Sequence, residues 1–216
     1  MFLKESDQKF VREVFSRLNN PVKILNFTQT LECQYCRETR ELLEEITALS
    51  DKLSLEVYNF QIDRSVAERY GVDKIPATIL FAETAPHSRI KFYGIPAGYE
   101  FTALLEDIVD ISNNKTDLSP EILAGLKKVT WPVHIQVFST PTCPYCPVAV
   151  RTAHRFALLN ENIRADMIEA IEFPHLAQKY NVRGVPRSVI NENIIIDGAV
   201  SEKQFLEKIL SSQPTT

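Results

Sequence analysis

Four cysteines occur in the chain, and they form two Cys-x-x-Cys pairs, Cys33 with Cys36 and Cys143 with Cys146. Two thiols at this spacing can exchange with a disulfide, or they can supply half of the ligands of a zinc site. Each pair follows an apolar strand pattern and precedes a helical pattern, so the sulfurs are predicted to lie at a helix N-terminus. The unpaired N–H groups and the helix dipole there favour an anion, which here would be a thiolate.

The chain is an internal duplication. Cys33 and Cys143 are 110 positions apart, and the same offset aligns Ile75-Pro76 with Val185-Pro186. A repeat of this kind has to be recognised before the fold is predicted, because it fixes the number of structural units.

The length of 216 residues together with the repeat predicts two domains, residues 1–114 and 115–216. Each is predicted to read helix, strand, helix, strand, helix, strand, strand, helix. Residues 53–62 alternate well enough to be one of these strands, and Ser119 followed by Pro120 predicts a helix start. Small units of this kind usually form a mixed sheet with helices on both faces, so the predicted class is α/β.

Composition and short motifs limit the partners, location and cofactors that we expect. The net charge of −4 gives no indication of a nucleic-acid or acidic-lipid partner, and no apolar run approaches membrane-spanning length. The start, MFLKESDQKF, lacks the long hydrophobic core of a signal peptide, so we expect a cytoplasmic protein. The six glycines form neither GxGxxG nor GxxxxGK[ST], which predicts no nicotinamide, flavin or nucleotide cofactor.

A zinc site built from both cysteine pairs is the alternative to redox chemistry. The two pairs are separated by 106 residues, far beyond the spacing of a zinc ribbon, and each has its own strand, helix and proline. We therefore expect no metal. A non-catalytic module with structural or zinc-binding cysteines remains the competing hypothesis from another class of protein.

Two stretches resemble known redox proteins. Residues 53–81 resemble the central part of a thioredoxin, and VFSTPTCPYCP at residues 137–147 resembles the active-site opening of a glutaredoxin. Two such units, with CQYC first and CPYC second, resemble the glutaredoxin-like protein disulfide oxidoreductases of thermophilic archaea and bacteria. The resemblance implies two tandem thioredoxin/glutaredoxin-like folds, each a mixed four-stranded sheet flanked by helices. It also implies dithiol–disulfide exchange on protein disulfides, as reduction, oxidation or isomerisation.

This family assigns roles to the cysteines and to their neighbours. Cys33 and Cys143 would be the nucleophiles, and Cys36 and Cys146 would resolve the mixed disulfide, with the two disulfides as the redox groups and no cofactor. The two prolines would follow cis peptide bonds, and the residues before them would offer backbone groups to a substrate. The substrate-binding set implied in this way is Ile75, Pro76, Val185 and Pro186. Tyr35 and Tyr145, between the cysteines, would either contact substrate or cover the helix end.

A proton acceptor for the second cysteine is expected in thioredoxin-like proteins. The positions of the buried acid and lysine of thioredoxin correspond here to Asn26, Asn59, Val137 and Glu169. Glu169 is the candidate that would accept the proton of Cys146, and the first unit has no counterpart. Glu44 and His154 are alternatives on the following helices, although residues at such positions are more often solvated.

Electrons must come from a partner. The double glycine with which glutaredoxins hold glutathione is replaced by Asp197-Gly198-Ala199, so a protein donor such as a thioredoxin reductase is favoured over glutathione. A dedicated electron carrier to a peroxidase is the alternative enzyme hypothesis, although such tandem arrangements usually keep one CxxC. Pro144 removes an N–H group that Gln34 retains, and we hypothesise that the two sites differ in potential, with CPYC the more oxidising.

Overall fold

The structure is a computed structural model and describes residues 3–87 and 89–214. Contacts divide the chain into two compact units. The first comprises Met1–Pro96 and Leu104–Lys115, and the second comprises Ala97–Ala103 and Thr116–Thr216.

The helices and strands follow the predicted order in both halves of the chain. The first half contains α1 (Glu5–Phe15), β1 (Val22–Thr28), α2 (Cys36–Thr47), β2 (Leu53–Asn59), α3 (Arg64–Arg69), β3 (Ala77–Ala82), β4 (Ile90–Tyr93) and α4 (Tyr99–Asn113). The second half contains α5 (Pro120–Leu126), β5 (Val133–Ser139), α6 (Cys146–Leu159), β6 (Ile163–Glu169), α7 (Pro174–Lys179), β7 (Arg187–Ile190), β8 (Ile194–Asp197) and α8 (Glu202–Leu210).

Each unit has a mixed four-stranded sheet, as predicted. The strand order is β2-β1-β3-β4 in the first unit and β6-β5-β7-β8 in the second. In the first, β1 is parallel to β2 and antiparallel to β3, which is antiparallel to β4. The second unit repeats this pattern, and α6 packs against β5 and β6 as α2 packs against β1 and β2.

Strand register brings the two motifs of each unit to the same edge of its sheet. Phe27 near the end of β1 is paired with Ala77 at the start of β3, and Phe138 is paired in the same way with Arg187. The loop that leaves β1 therefore lies beside the loop that enters β3. The first of these loops carries a cysteine pair, and the second carries a proline.

The core follows the apolar periodicity of the sequence. Leu42, Leu43 and Ile46 recur at helical spacing on α2 and are buried, and Ile24 and Leu25 on β1 are fully buried beneath the helices. Burying a side chain of this size contributes about 1.5–3 kcal/mol, so the helix that carries the cysteines is held firmly on the sheet.

Strand β2 is shorter than predicted. It ends at Asn59, whose side-chain oxygen accepts hydrogen bonds from the backbone N–H groups of Gln61 (3.0 Å) and Ile62 (2.9 Å). This side chain closes a turn, and Ile62 is exposed rather than part of the strand. The apparent alternation beyond Asn59 does not reflect a strand.

The predicted domain boundary puts residues 97–103 in the first domain, whereas their contacts place them in the second unit. The backbone N–H of Tyr99 donates to the carbonyl of Pro141 (3.0 Å), and the Ser139 hydroxyl donates to the Glu100 carboxylate (2.5 Å). These bonds join residues far apart in the chain, so no local sequence pattern predicts them.

The start of α5 is as predicted. Ser119 is the N-cap, its hydroxyl accepts a hydrogen bond from the backbone N–H of Ile122 (3.3 Å), and Pro120 is the first helical residue. This cap satisfies one of the backbone donors that a helix start leaves unpaired.

Candidate active site

The first cysteine pair is a disulfide at the start of α2. The S–S distance between Cys33 and Cys36 is 1.98 Å, Tyr35 is the N-cap residue, and Cys36 begins the helix. Cys36 is buried, whereas Cys33 is partly exposed. Of the two sulfurs, the outer one is therefore the one that a partner can reach.

The second pair repeats this arrangement but differs in hydrogen bonding and in burial. Cys143 and Cys146 form a disulfide of 2.10 Å at the start of α6, and the backbone N–H of Cys146 donates to the sulfur of Cys143 (3.1 Å). Cys143 is only 7% exposed and Cys146 is fully buried. An N–H group pointing at the outer sulfur favours its thiolate form.

Both prolines follow cis peptide bonds, Ile75-Pro76 and Val185-Pro186, as the resemblance implied. The carbonyl of Pro76 accepts a hydrogen bond from Gly94 (2.9 Å), and that of Pro186 accepts one from Gly198 (2.8 Å).

The residues before the two prolines differ from the prolines in their hydrogen bonding. Ile75 and Val185 are half-buried, and neither makes a backbone hydrogen bond within the described part of the chain. Backbone groups of this kind need a partner, and an extended peptide segment can supply one.

The two tyrosines between the cysteines are placed differently. Both occupy the N-cap position of the cysteine-bearing helix, and neither side chain caps it. Tyr145 is 69% exposed, whereas Tyr35 is half-buried. The exposed ring of Tyr145 offers contact area next to the second disulfide.

Glu169 is a buried carboxylate at the end of β6. It is 3% exposed, its Oε2 accepts a hydrogen bond from the N–H of Glu172 (2.6 Å), and its Oε1 is buried without a partner among the described residues. Burial raises the pKa of Glu169 above its ordinary value of 4.5, although the N–H groups of Glu172 and Ile171 act in the opposite direction. Its strand neighbour is Ser139, which precedes the loop to Cys143.

Glu100 is a second buried carboxylate that the sequence did not reveal. It is 2% exposed and accepts the hydroxyl hydrogen of Ser139, the residue paired with Glu169 in the sheet. A single glutamate in the first turn of a helix is usually a surface residue, so only the tertiary structure identifies it. Ser139, at the end of β5, is thus paired in the sheet with one buried glutamate and hydrogen-bonded to another.

The first unit has two asparagines, Asn26 and Asn59, where the second has Val137 and Glu169. Asn26 is fully buried and donates to the carbonyl of Ala77 (3.2 Å), and Asn59 closes the turn after β2. Glu44 is partly exposed and pairs with Arg40, so it is no buried acceptor. His154, which we expected to be solvated, is buried because it lies on the core face of α6.

Within residues 3–87 and 89–214, no group of three or more His, Cys, Asp or Glu residues is placed to hold a metal ion. In the same residues, no helix has the length and apolarity needed to cross a bilayer.

These features define a class of protein. A mixed four-stranded sheet with a CxxC disulfide at a helix start, and a cis proline at the start of the adjacent strand, is a thioredoxin fold built for dithiol–disulfide chemistry. The chain contains this fold twice, and a thioredoxin domain model matches residues 133–211.

Two solved structures match almost the whole chain. A protein disulfide oxidoreductase from Aeropyrum pernix is 31% identical, with a TM-score of 0.90, covering 98% of this chain and 94% of that one. The alkyl hydroperoxide reductase protein AhpF from Enterococcus faecalis is 25% identical, with a TM-score of 0.89, covering 97% of this chain and 100% of that one. The chain belongs to the tandem thioredoxin-fold family of protein disulfide oxidoreductases.

Curated relatives extend the comparison. The corresponding alkyl hydroperoxide reductase protein from Staphylococcus aureus is 27% identical over 178 residues, which are 82% of this chain and 32% of that protein. A Bacillus subtilis relative described as NADH dehydrogenase is 23% identical over 168 residues. The chain therefore spans about a third of the length of the curated relatives it matches.

Gly98→Ala tests the contact beside the second disulfide. Gly98 has a φ of +62°, and an added Cβ would overlap the carbonyl oxygen of Pro141 and lie 2.8 Å from its carbonyl carbon. We expect a loss of about 2 kcal/mol or more in the free energy of unfolding, measured by urea titration. Gly184→Ala is the control, since no atom lies within 4 Å of its Cβ position; equal losses in both variants would contradict the contact.

The hydrogen bond to Cys143 predicts different potentials at the two sites. Lowering a nucleophile's pKa by one unit stabilises the reduced form by about 1.4 kcal/mol, equivalent to about 30 mV. Burial of Cys143 acts in the opposite direction, but Cys33 is itself only partly exposed, and hydrogen bonds to charged groups are strong.

We expect the second site to be more oxidising by about 30 mV. Redox titration of Cys33→Ser/Cys36→Ser and of Cys143→Ser/Cys146→Ser gives the two potentials separately. Equal potentials, or a more oxidising first site, would show that this hydrogen bond does not set the order.

Proposed function

We propose that the protein is a thiol–disulfide oxidoreductase that acts on protein disulfides at two CxxC sites. The observation that carries this proposal is the repeated pairing of a CxxC disulfide at a helix start with a cis-proline loop at the same sheet edge. Reduction, oxidation and isomerisation use the same exchange step, and the direction is set by the potentials of the partners.

Exchange proceeds in two steps at each site. In the reductive direction, the thiolate of Cys33 attacks a substrate sulfur, forms a mixed disulfide and displaces one substrate thiolate. Cys36 then loses its proton and attacks the sulfur of Cys33, which releases the second substrate thiol and leaves the site oxidised. Cys143 and Cys146 act in the same way, and each cycle transfers two electrons.

Substrate is held by the cis-proline loops in this proposal. The backbone groups of Ile75 and Val185 pair with an extended segment around the substrate disulfide, and Pro76 and Pro186 fix the direction in which they point. Tyr145 contacts the partner through its exposed ring, and Tyr35 does so at the first site to a smaller extent.

A protein electron donor of the thioredoxin-reductase type completes the cycle, and the disulfides are the redox groups without a further cofactor. We propose a cytoplasmic location, where thiols are kept reduced and four cysteines in two pairs serve catalysis rather than form structural disulfides.

A carrier that passes electrons to a peroxidase is the second candidate. The observation that favours it is the similarity to the alkyl hydroperoxide reductase protein AhpF, which extends over 97% of this chain. A carrier of this kind would be selective for one partner, whereas a general oxidoreductase reduces unrelated protein disulfides.

Dithiothreitol-driven reduction of insulin tests the main proposal. We expect wild type, Cys33→Ser and Cys143→Ser to be active and the double variant to be inactive, because each site works without the other. Precipitation of the insulin B chain is the measurement. If wild type is inactive although its cysteines titrate as two reversible dithiols, the partner-specific carrier is the better account; bound zinc near stoichiometric would favour a non-catalytic module.

Glu169 is proposed as the group that accepts the proton of Cys146. Its support is the buried carboxylate at the end of β6, a strand on which α6 packs. In a protein with Cys33→Ser/Cys36→Ser, Glu169→Gln should slow substrate reduction about tenfold or more, since an amide cannot take the proton. In the same protein with Glu169 intact, substrate reduction should also slow at low pH, because the carboxylate becomes protonated. Glu169→Gln should lack this pH dependence.

A stability measurement separates this role from a structural one. Because the pKa of Glu169 is raised in the folded state, its stabilising contribution is present below pH 4.5 and is lost as the pH rises through the folded pKa. Glu169→Gln should therefore gain stability relative to wild type as the pH rises. If Glu169→Gln is slower but its rate depends on pH in the same way as that of wild type, the proton-accepting role is excluded.

A further inference from the structure

A cavity of about 500 Å³ opens beside the first disulfide. Cys33 forms part of its wall, Arg37 and Arg40 on α2 form another part, and Val57 and Asn59 of β2 contribute to the rest. All of these residues belong to the first unit. The volume lies within the range of pockets that hold small ligands or a few residues of a peptide.

The two arginines are available for a ligand. Arg37 donates from Nε to Glu41 (3.0 Å), and Arg40 donates from Nε to Glu44 (2.7 Å). Both pairs join residues four apart on the exposed side of α2, where ion pairs contribute little. Each guanidinium retains the four N–H groups of its terminal nitrogens, which match the two oxygens of a carboxylate.

The lining of the cavity contains one acidic side chain. Asp63 also lines the cavity, but its Oδ2 already accepts a hydrogen bond from the backbone N–H of Asn59 (2.7 Å), which holds it in the turn before α3. Two guanidinium groups and this one carboxylate therefore line the cavity, while Glu41 and Glu44, which pair with the guanidinium groups through Nε, lie outside its lining.

The two arginines have no counterpart at the second site. At the offset of 110 residues, Arg37 corresponds to Pro147 and Arg40 to Val150, neither of which carries charge. The exposed side chains around that disulfide include Tyr145 and Val148, which present apolar surface. The two sites thus offer different chemistry to a partner although their cysteines are placed alike.

We propose that Arg37 and Arg40 select peptide disulfides that carry a carboxylate next to the cysteine, so that the first site prefers acidic substrates. This inference rests on the proposed function and names the substrate class of one of its two sites. The carboxylate occupies the cavity while the thiolate of Cys33 attacks the adjacent disulfide and expels one peptide thiolate. Cys36 then displaces the other peptide, so the site is oxidised and both peptides are reduced.

Synthetic peptide disulfides test this preference. Each probe is a symmetrical disulfide of one short peptide with a single cysteine, flanked by Glu in one peptide, by Gln in the second and by Lys in the third. Pre-reduced full-length protein with Cys143→Ser/Cys146→Ser is mixed with each probe, and the single-turnover rate constant is measured by quenched flow. We expect the Glu peptide to react about fivefold faster than the Gln peptide at low salt, and the ratio to shrink in about 0.5 M salt.

The ratio of the two rate constants is the decisive quantity. Arg37→Gln/Arg40→Gln should bring it to about one. A change in the pKa of Cys33 caused by losing two cations would alter both rate constants alike and leave the ratio unchanged. The protein with Cys33→Ser/Cys36→Ser, in which only the second site reacts, should show no preference for the Glu peptide.

Arg64→Gln is the matched control. Arg64 pairs with Glu68 at the same spacing and the same 3.0 Å distance as Arg37 with Glu41, and their side chains are 80% and 81% exposed. It lies outside the lining of this cavity, so its loss should leave the ratio at about five.

Several outcomes would overturn the inference. Equal rate constants for the Glu and Gln peptides would do so, as would an equal loss of preference in Arg64→Gln, which would show a general effect of charge. If the first site reduces the Gln peptide as fast as the Glu peptide, this inference is wrong and the proposed function is unaffected. If the first site reduces none of the peptides and no insulin, both this inference and the proposed function of that site are wrong.

Discussion

Antiparallel pairing of the central strand with its neighbour is the constraint on which each unit depends. Phe27 pairs with Ala77 and Phe138 pairs with Arg187, so the strand that leads into the cysteines ends where the strand that follows the proline begins. Two loops that are 40 residues apart in the chain therefore share one sheet edge. A shift of register by one residue would turn the side chains of these strands to opposite faces, and the buried positions of both strands resist it.

The helix that follows the cysteines converts this placement into chemistry. Its apolar face is buried on the sheet, which holds its N-terminus and the unpaired backbone donors there at the sheet edge beside the cysteines. At the second site one donor is resolved, from Cys146 to the sulfur of Cys143. The inner cysteine is buried in both units, whereas the outer one is partly exposed in the first unit and 7% exposed in the second.

The duplicated units have diverged around this shared frame. The second unit buries Glu100 and Glu169 near the end of β5, whereas the first has the amide of Asn26 in its core. The first unit has instead a polar cavity with two arginines, where the second presents Tyr145 to solvent. In our proposals, a buried acid acts on the protonation of the sulfurs at the second site, while exposed charges act on the choice of partner at the first, so the two sites would differ in separable properties.

The sequence alone determined the features that depend on local pattern, whereas tertiary structure decided what depends on contacts between distant residues. The CxxC spacing, the repeat of 110 residues and the apolar-Pro pairs predicted two units and their order of helices and strands, because each is contained in neighbouring residues or in the repeat itself. The cis prolines were implied by the family resemblance. The sequence pattern predicted that β2 extends to residue 62, but the Asn59 side chain ends the strand earlier.

Residues 97–103 join the second unit through Pro141 and Ser139, and this contact buries Glu100. In the sequence, Arg37 and Arg40 look like ordinary surface charges. Only the packing of α2 against β2 shows that they line a cavity. Burial and charge at a site are set by residues that only the fold brings together, so one-dimensional patterns do not contain them.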